Sequence, residues 1–97
     1  MTHQSFFKVK RLVDKELLRR YAKMPCAVGY VTHMRPVAGH HIKTKGSGGD
    51  DVDDNLIPLC ATHHAEIHSM GISGFLRSYG QRISNNNREK LEGQLDG

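Results

Sequence analysis

The first regular pattern of apolar and polar positions in the chain predicts a helix over residues 14–24. Leu17 and Tyr21 recur at helical spacing, and Lys and Arg fill much of the opposite face. Asp14 is suited to cap the N-terminus of this helix, and Pro25 directly follows its predicted end. We therefore expect an amphipathic helix whose apolar stripe packs against the rest of the domain, preceded by a short extended or loose arm with several basic residues over residues 1–11.

Two short strands are predicted in the middle of the chain, over residues 37–43 and 55–59. Pro58 favours a position at a strand end or a sheet edge for the second of them. The intervening residues 45–54 are rich in Gly and Asp and predict a loop. We expect the acidic side chains of this loop to be solvated or to cap its turn.

The last third of the chain predicts helices. The first covers residues 61–70 and ends at Gly71, which favours a helix C-terminus. Two shorter helices are predicted over residues 73–79 and 87–95, separated by a polar turn at 84–86. With two strands before them, these helices predict an α+β fold.

Length and composition predict one domain, residues 1–97, with a thin core that a metal ion or a partner subunit would stabilise. The chain has two cysteines, no visible secretory signal and no apolar run near the about 20 residues of a membrane span. We therefore expect a cytoplasmic protein that does not enter a membrane. Lys and Arg outnumber Asp and Glu by 14 to 10, which suits a polyanionic partner but equally describes an ordinary basic surface.

Six of the seven histidines lie between His33 and His68. His64 and His68 are four positions apart, so on a helix they lie on one face and can bind one metal ion. Glu66 lies about 160° away around the helix, at about 100° per residue. Ala65 occupies the position at which zinc proteases have a glutamate. The pattern predicts metal binding and argues against a metalloprotease.

His40 and His41 are adjacent and, on a strand, point to opposite faces. One imidazole can therefore join the metal, while the other, in its neutral form, acts as a base toward a phosphate. An amide or a backbone carbonyl can hold the second nitrogen of that base without adding charge, and Asn55 is the candidate. Metal ligands, a general base and an amide that orients the base are the groups that a one-metal nuclease requires.

These residues resemble the HNH (His-Asn-His) endonucleases. The resemblance spans residues 25–71 and rests on the ordered elements His40-His41-Ile42, Asn55 and the run from Leu59 to His68. It implies a ββα-metal (His-Me finger) core, two antiparallel strands and a helix around one divalent ion, over about residues 36–71. Flanking short helices would cover 14–24 and 73–95. Similar small proteins are bacterial or phage-encoded, which implies the cytoplasm of a bacterial host cell.

The resemblance implies an endonuclease that hydrolyses DNA phosphodiester bonds, by nicking or cutting, with low sequence specificity. His41 corresponds to the general base of the family, and Asn55 to the central Asn that orients the base or reaches the metal. His40, His64 and His68 correspond to the ligands of one divalent ion, which would be Mg, Mn, Zn or Ni.

Many members of the family also bind a structural zinc through two Cys-x-x-Cys pairs. Here Gly29 replaces the second Cys of the first pair. Cys26, Cys60 and His63 match three ligands, and His33 is the nearby donor for the fourth. The alternative is that this zinc has been lost and that both cysteines are buried small hydrophobes.

Lys43 and Lys45 follow the His pair closely, and we expect one of them to contact a DNA phosphate. A homodimer and a phage or host DNA-processing partner both remain open. The competing interpretation is a non-catalytic, zinc-stabilised module that binds nucleic acid or another protein. The pairing of His41 with Asn55 argues against that module, because a purely structural metal site has no need of a spare imidazole.

Overall fold

The computed structural model describes residues 11–29 and 35–95, and within these ranges the chain has an α+β fold, as predicted. Three helices and a two-stranded antiparallel sheet follow in the order α1 (Lys15–Ala22), β1 (Val37–His41), β2 (Leu56–Cys60), α2 (Ala61–Tyr79) and α3 (Asn85–Leu95). None of these described helices is both long and apolar enough to cross a bilayer. Apart from Arg11, the predicted N-terminal arm lies outside the described residues.

Helix α1 begins where the sequence predicts. The side chain of Asp14 caps it by accepting a hydrogen bond from the backbone N–H of Leu17 (3.0 Å). The helix ends at Ala22, two residues before its predicted end. Leu17 and Tyr21 are buried and pack against Leu56 of β2, so the apolar stripe attaches α1 to the sheet.

Strand β1 pairs with β2 in an antiparallel register that places His41 opposite Leu56. Because neighbours on a strand point to opposite faces, His40 and His41 leave the sheet on different sides. The strand ends at His41 rather than at the predicted Lys43. Beyond His41, the backbone of Lys43 is held by the side chain of Asn55 instead of by a strand partner.

All five residues of β2 are buried, which makes this strand the centre of the fold. Leu56 meets α1, whereas Ile57 and Leu59 join a cluster that reaches Phe75 of α2 and Leu91 of α3. The adjacent strand β1 therefore presents its histidine pair from a backbone that is anchored by the core.

Helix α2 changes direction at Gly71, which has φ 75° and ψ 170°. This conformation is essentially restricted to glycine. The prediction that the helix starting at Ala61 stops at Gly71 is confirmed, and the part of α2 beyond Gly71 corresponds to the short helix predicted over 73–79. Helix α3 starts at Asn85, two residues before its predicted start.

Candidate metal centre

Three imidazoles meet where β1 faces the first half of α2. His40 comes from the strand and is 6% exposed, while His64 and His68 come from successive turns of the helix. The Nε2 atoms of His64 and His68 are 3.0 Å apart, and the centroid of the His40 ring lies 5.0 and 5.2 Å from the centroids of their rings. One donor atom of each residue lies within 4.8 Å of the other two. The structure thus brings together the three predicted ligands, which we call the histidine triad.

The environment of the triad favours neutral imidazoles. Burial lowers the pKa of His40 to about 4, and the imidazoles of His64, His68 and His41 act in the same direction. The pKa of His64 is also lowered, by burial and by the proximity of His68. Only a neutral imidazole offers a metal its lone pair, so His40 and His64 are in the ligating state at neutral pH.

The spacing of the donors fits a small divalent ion. With Zn–N bonds of about 2.0–2.1 Å, a tetrahedral site places two nitrogens about 3.3 Å apart. The separation of 3.0 Å between His64 and His68 is close to this value, and the whole triad lies within 4.8 Å. Three protein ligands leave a coordination position for water or substrate, as in catalytic zinc sites. Imidazole donors suit several divalent metals, so the triad does not select one of them.

The triad borders a cleft of about 550 Å³ between α1, β1 and the loop that follows β1. His41 and Lys45 line the same cleft, and Leu18 and Ala22 of α1 form an apolar wall. We expected one of Lys43 and Lys45 to contact phosphate. Lys45 lines the cleft that the triad borders, whereas Lys43 is exposed and does not line it.

His41 lies outside the triad and is held by a buried carboxylate. Its Nε2 atom is 2.6 Å from Oδ1 of Asp51, whose side chain is fully buried. Nη1 of Arg11 donates to the same oxygen (2.9 Å), and the backbone N–H of Asp14 donates to Oδ2 (2.8 Å). Both carboxylate oxygens are therefore satisfied, and the contact joins His41 to the segment that leads into α1.

The charge of Asp51 decides which nitrogen of His41 carries the proton. Burial by itself would raise the pKa of Asp51, but hydrogen bonds from His41, Asp14 and Arg11, together with the charge of Arg11, lower it to about 2. A carboxylate only accepts hydrogen bonds, so we assign the proton to Nε2 of His41. The lone pair of the neutral ring is then on Nδ1.

Asn55 does not hold His41, and this part of the prediction is wrong. Oδ1 of Asn55 accepts from the backbone N–H of Lys43 (2.7 Å), and Nδ2 donates to the carbonyls of Lys43 (3.1 Å) and Asp50 (3.0 Å). Asn55 thereby closes the loop between the strands. We expected an uncharged amide at His41, but the fold uses a carboxylate whose charge Arg11 balances.

The closed loop leaves no room for a side chain at Gly49. A Cβ atom there would lie 1.7 Å from the carbonyl oxygen of Lys43 and 2.9 Å from Nδ2 of Asn55. The carbonyl of Gly49 also accepts a hydrogen bond from Arg11 (2.9 Å). Glycine at this position lets the loop pass close to the backbone of Lys43, and this close approach allows Asp51 to contact His41.

The acidic run was expected to be solvated or to cap its turn, which is wrong for Asp51. Asp53 and Asp54 are exposed, whereas Asp51 is buried in the contact with Arg11 and His41. No local pattern distinguishes Asp51 from its acidic neighbours, and Arg11 is 40 positions away in sequence. Sequence reasoning therefore missed both Asp51 and Arg11 as site residues.

A second group of donors lies at the N-terminus of α2. Nδ1 of His63 is 3.4 Å from Sγ of Cys26 and 3.2 Å from Sγ of Cys60. With Zn–S bonds of about 2.3 Å and Zn–N bonds of about 2.0 Å, a tetrahedral zinc places sulfur and nitrogen about 3.5 Å apart, so these donors fit. Both thiols are buried, and burial raises the pKa of Cys26. His33, the predicted fourth ligand, lies outside the described residues.

Glu66 belongs to the surroundings of this second group rather than to the triad. Its Oε1 accepts a hydrogen bond from the hydroxyl of Tyr79 (2.5 Å) and lies 4.0 Å from Nε2 of His63. The rings of His63 and Tyr79 pack edge to face, with centroids 4.9 Å apart. The prediction that Glu66 points away from the two helix ligands of the triad is confirmed.

Comparison with models of protein families, with curated proteins and with solved structures gives no match for this chain. What the two donor groups can do therefore follows from their geometry and chemistry. Each group can hold a metal ion, and the triad also adjoins a cleft with a further imidazole.

Proposed function

We propose that this chain is a metal-dependent endonuclease of the HNH type, which hydrolyses phosphodiester bonds of DNA. The order of β1, β2 and α2, with the histidine triad between β1 and α2, supports a ββα-metal core. One divalent ion, Mg, Mn, Zn or Ni, would be held by His40, His64 and His68.

The observation that carries this proposal is a fourth imidazole in the cleft that does not belong to the triad. His41 follows a ligand directly in the sequence, lines the same cleft and has its Nε2 proton held by Asp51. Its other nitrogen, Nδ1, is thereby left to accept a proton. A metal ion that only stabilised the fold would need no further imidazole beyond those that bind it.

In the proposed reaction, Nδ1 of His41 removes a proton from a water molecule while the water oxygen attacks phosphorus in line with the 3′ oxygen. The bond between phosphorus and the 3′ oxygen breaks, and the leaving oxygen takes a proton from solvent. The products carry 5′-phosphate and 3′-hydroxyl ends. Asp51 keeps the ring oriented and stabilises the imidazolium that forms. When bound, the divalent ion supplies charge stabilisation for the phosphoryl and leaving oxygens.

The charge of the chain suits a nucleic-acid substrate. The formal net charge is +4, and Lys45 lies at the cleft with the exposed Lys43 two positions before it. Lysine contacts to phosphate add affinity but carry no sequence information. We therefore propose that cleavage has low sequence specificity.

The second donor group has a structural role in this proposal. A zinc ion on Cys26, Cys60 and His63 would tie the segment before β1 to the end of β2 and the start of α2. A domain of this size gains much of its stability from such a link.

A non-catalytic, zinc-stabilised module that binds nucleic acid or another protein is the second candidate function. It is favoured by one observation, because the contact of His41 with Asp51 and Arg11 also fastens the segment before α1 to the loop between the strands. In such a module, substitution of His41 would affect stability alone.

Nicking of supercoiled plasmid with Mg, Mn, Ni or Zn tests the proposal, with bound metal counted on the same samples. The wild-type protein should nick only with a divalent ion and should leave 5′-phosphate ends. His64→Ala should lose nicking together with one ion per chain. Ser69→Ala, an exposed position on the same helix, should behave as wild type. Absence of nicking with every ion, from protein that keeps its metal and binds DNA, would favour the structural module instead.

A further inference from the structure

Three arginines line a second cleft, which shares no lining residue with either donor group. This cleft has a volume of about 480 Å³ and lies where the second half of α2 approaches α3. Arg77 comes from α2, Arg82 from the turn between the helices, and Arg88 from α3. Glu92 also lines the cleft, so its charged side chains sum to a formal charge of +2. We call this feature the arginine cleft.

Two of the three guanidinium groups are positioned by contacts within the fold. Arg88 donates to the carbonyl of Gly80 (3.2 Å) and to Oδ1 of Asn85 (2.5 Å). The guanidinium carbon of Arg82 lies 5.9 Å from the centroid of the Tyr79 ring, within cation–π distance. Groups held in this way lose less conformational freedom when they bind a ligand.

The positive charge of the arginine cleft is not fully balanced from within. Both acceptors of Arg88 are neutral, and Arg88 forms no ion pair with Glu92, although both residues are described and lie one turn apart on α3. Arg77 is exposed and has no hydrogen bond or ion pair with any described residue. At least two guanidinium groups are thus available to an anion.

We propose that the arginine cleft binds phosphates of a nucleic-acid backbone, as a second contact surface in addition to the metal centre. The planar fork of guanidinium donors matches the oxygens of a phosphate. The choice of nucleic acid rather than an acidic peptide rests on the proposed function. Arg77 follows His68 by nine positions, so their Cα atoms are at most about 32 Å apart. A duplex of about 20 base pairs, about 68 Å long, is therefore longer than the distance between the two surfaces.

Binding of a labelled 20-base-pair duplex, measured by fluorescence anisotropy across a salt series, tests this surface. The protein is used as isolated, with no divalent ion added, so the result does not depend on cleavage. Each phosphate contact contributes about 0.9 to the slope of log K against log salt. The double variant Arg77→Gln/Arg88→Gln should therefore have a slope shallower by about 1.8, whereas Arg77→Lys/Arg88→Lys, which keeps the charge, should retain most of the slope.

Two glutamate variants distinguish the effect of the charge at the cleft on DNA binding from the effect of the net charge of the chain. Glu92→Gln removes the negative charge that lines the cleft and should tighten binding by about two- to fivefold. Glu89→Gln makes the same charge change at an exposed position of the same helix that does not line the cleft, and should leave binding unchanged.

An unchanged slope in the double Gln variant would overturn the proposal, as would equal tightening by both glutamate variants. The double Gln variant is also tested for binding to polyglutamate, which represents an acidic protein segment. If this variant loses polyglutamate binding but retains duplex binding, the cleft binds an acidic protein segment and the proposal is overturned. Thermal melts of every variant show that each protein remains folded at the assay temperature. Failure of the nicking assay refutes the nuclease but leaves these binding results intact, so the two proposals can fail separately.

Discussion

Replacing Asp51 with Asn tests the contact that holds His41, with almost no change in side-chain volume. In the wild-type protein, Oδ1 accepts from His41 and Arg11, and Oδ2 accepts from the N–H of Asp14. If the new amide keeps its oxygen toward His41, its NH₂ group opposes the Asp14 N–H across 2.8 Å. If the amide flips, its NH₂ group faces the donors of His41 and Arg11. Either orientation breaks at least one buried hydrogen bond.

The expected cost follows from these losses. A buried donor without an acceptor costs about 1–3 kcal/mol. The substitution also leaves Arg11, whose side chain is 24% exposed, without its counter-ion. We expect Asp51→Asn to lower the free energy of unfolding by about 2–4 kcal/mol, a large part of the about 5–15 kcal/mol typical of a domain. At about 4–8 °C per kcal/mol, the melting temperature should fall by about 10–30 °C.

Circular dichroism melts and plasmid nicking on the same samples provide the assay. Nicking should fall by about 10²-fold or more at a temperature where the variant is folded, because the proton of His41 is no longer held on Nε2. Bound metal should not change, since Asp51 touches no triad ligand. Asp54→Asn, an exposed position in the same acidic run, should match wild type. Wild-type melting and nicking in Asp51→Asn would refute the role assigned to the carboxylate.

The pH dependence of stability gives an independent signature of the same contact. The pKa of Asp51 is lowered from 3.8 to about 2 in the folded protein. Its contribution to stability is therefore complete above about pH 4 and is lost as the pH falls through about 2. The difference in the free energy of unfolding between wild type and Asp51→Asn should shrink across this window. A difference that stays constant from pH 5 to pH 2 would contradict the assignment of an ionised Asp51.

Three further substitutions, two of them with a comparison variant, test the structure around the site. Gly49→Ala should destabilise the protein by at least about 3 kcal/mol in a denaturant titration, because its Cβ would overlap the Lys43 carbonyl. The control Gly46→Ala places its Cβ in open space and should be nearly neutral. Gly71→Ala forces a residue with a side chain into a backbone conformation with φ 75° and should lower the free energy of unfolding by about 1–3 kcal/mol in the same titration. Gly93→Ala, in helix α3, should raise it by about 0.5–1 kcal/mol. Cys26→Ser should remove one bound ion, leave the ion of the triad in place and lower the melting temperature; unchanged metal content would exclude Cys26 as a ligand.

Local signals in the sequence were enough to place most of the elements and the ligand pair His64 and His68, whereas the third ligand and the second donor group were implied only by the resemblance to the HNH endonucleases. The cap at Asp14, the break at Gly71 and the four-residue spacing of His64 and His68 each act within one or two helical turns. Such features depend little on the rest of the fold. This is why the starts of α1 and α2 and the ligand pair could be predicted without knowledge of tertiary contacts.

The partners of individual polar groups depend on contacts distant in sequence and were not predictable in the same way. Asp51 meets Arg11 across 40 positions, and nothing in an acidic run marks the one carboxylate that becomes buried. Asn55 was placed on His41 from its position between the His clusters, but its amide is used by loop backbone instead. The arginine cleft was missed for a related reason, because it forms only where the end of α2 approaches α3.

The most direct test of the central claim is single-turnover plasmid nicking by His41→Ala protein that carries the same bound ions as wild type. If His41 is the general base, the rate should fall by about 10²-fold or more, with metal content and fold retained at the assay temperature. Added imidazole should restore part of the rate by entering the space vacated by the side chain. An undiminished rate at equal metal content would show that His41 is not the base and would contradict the proposed mechanism.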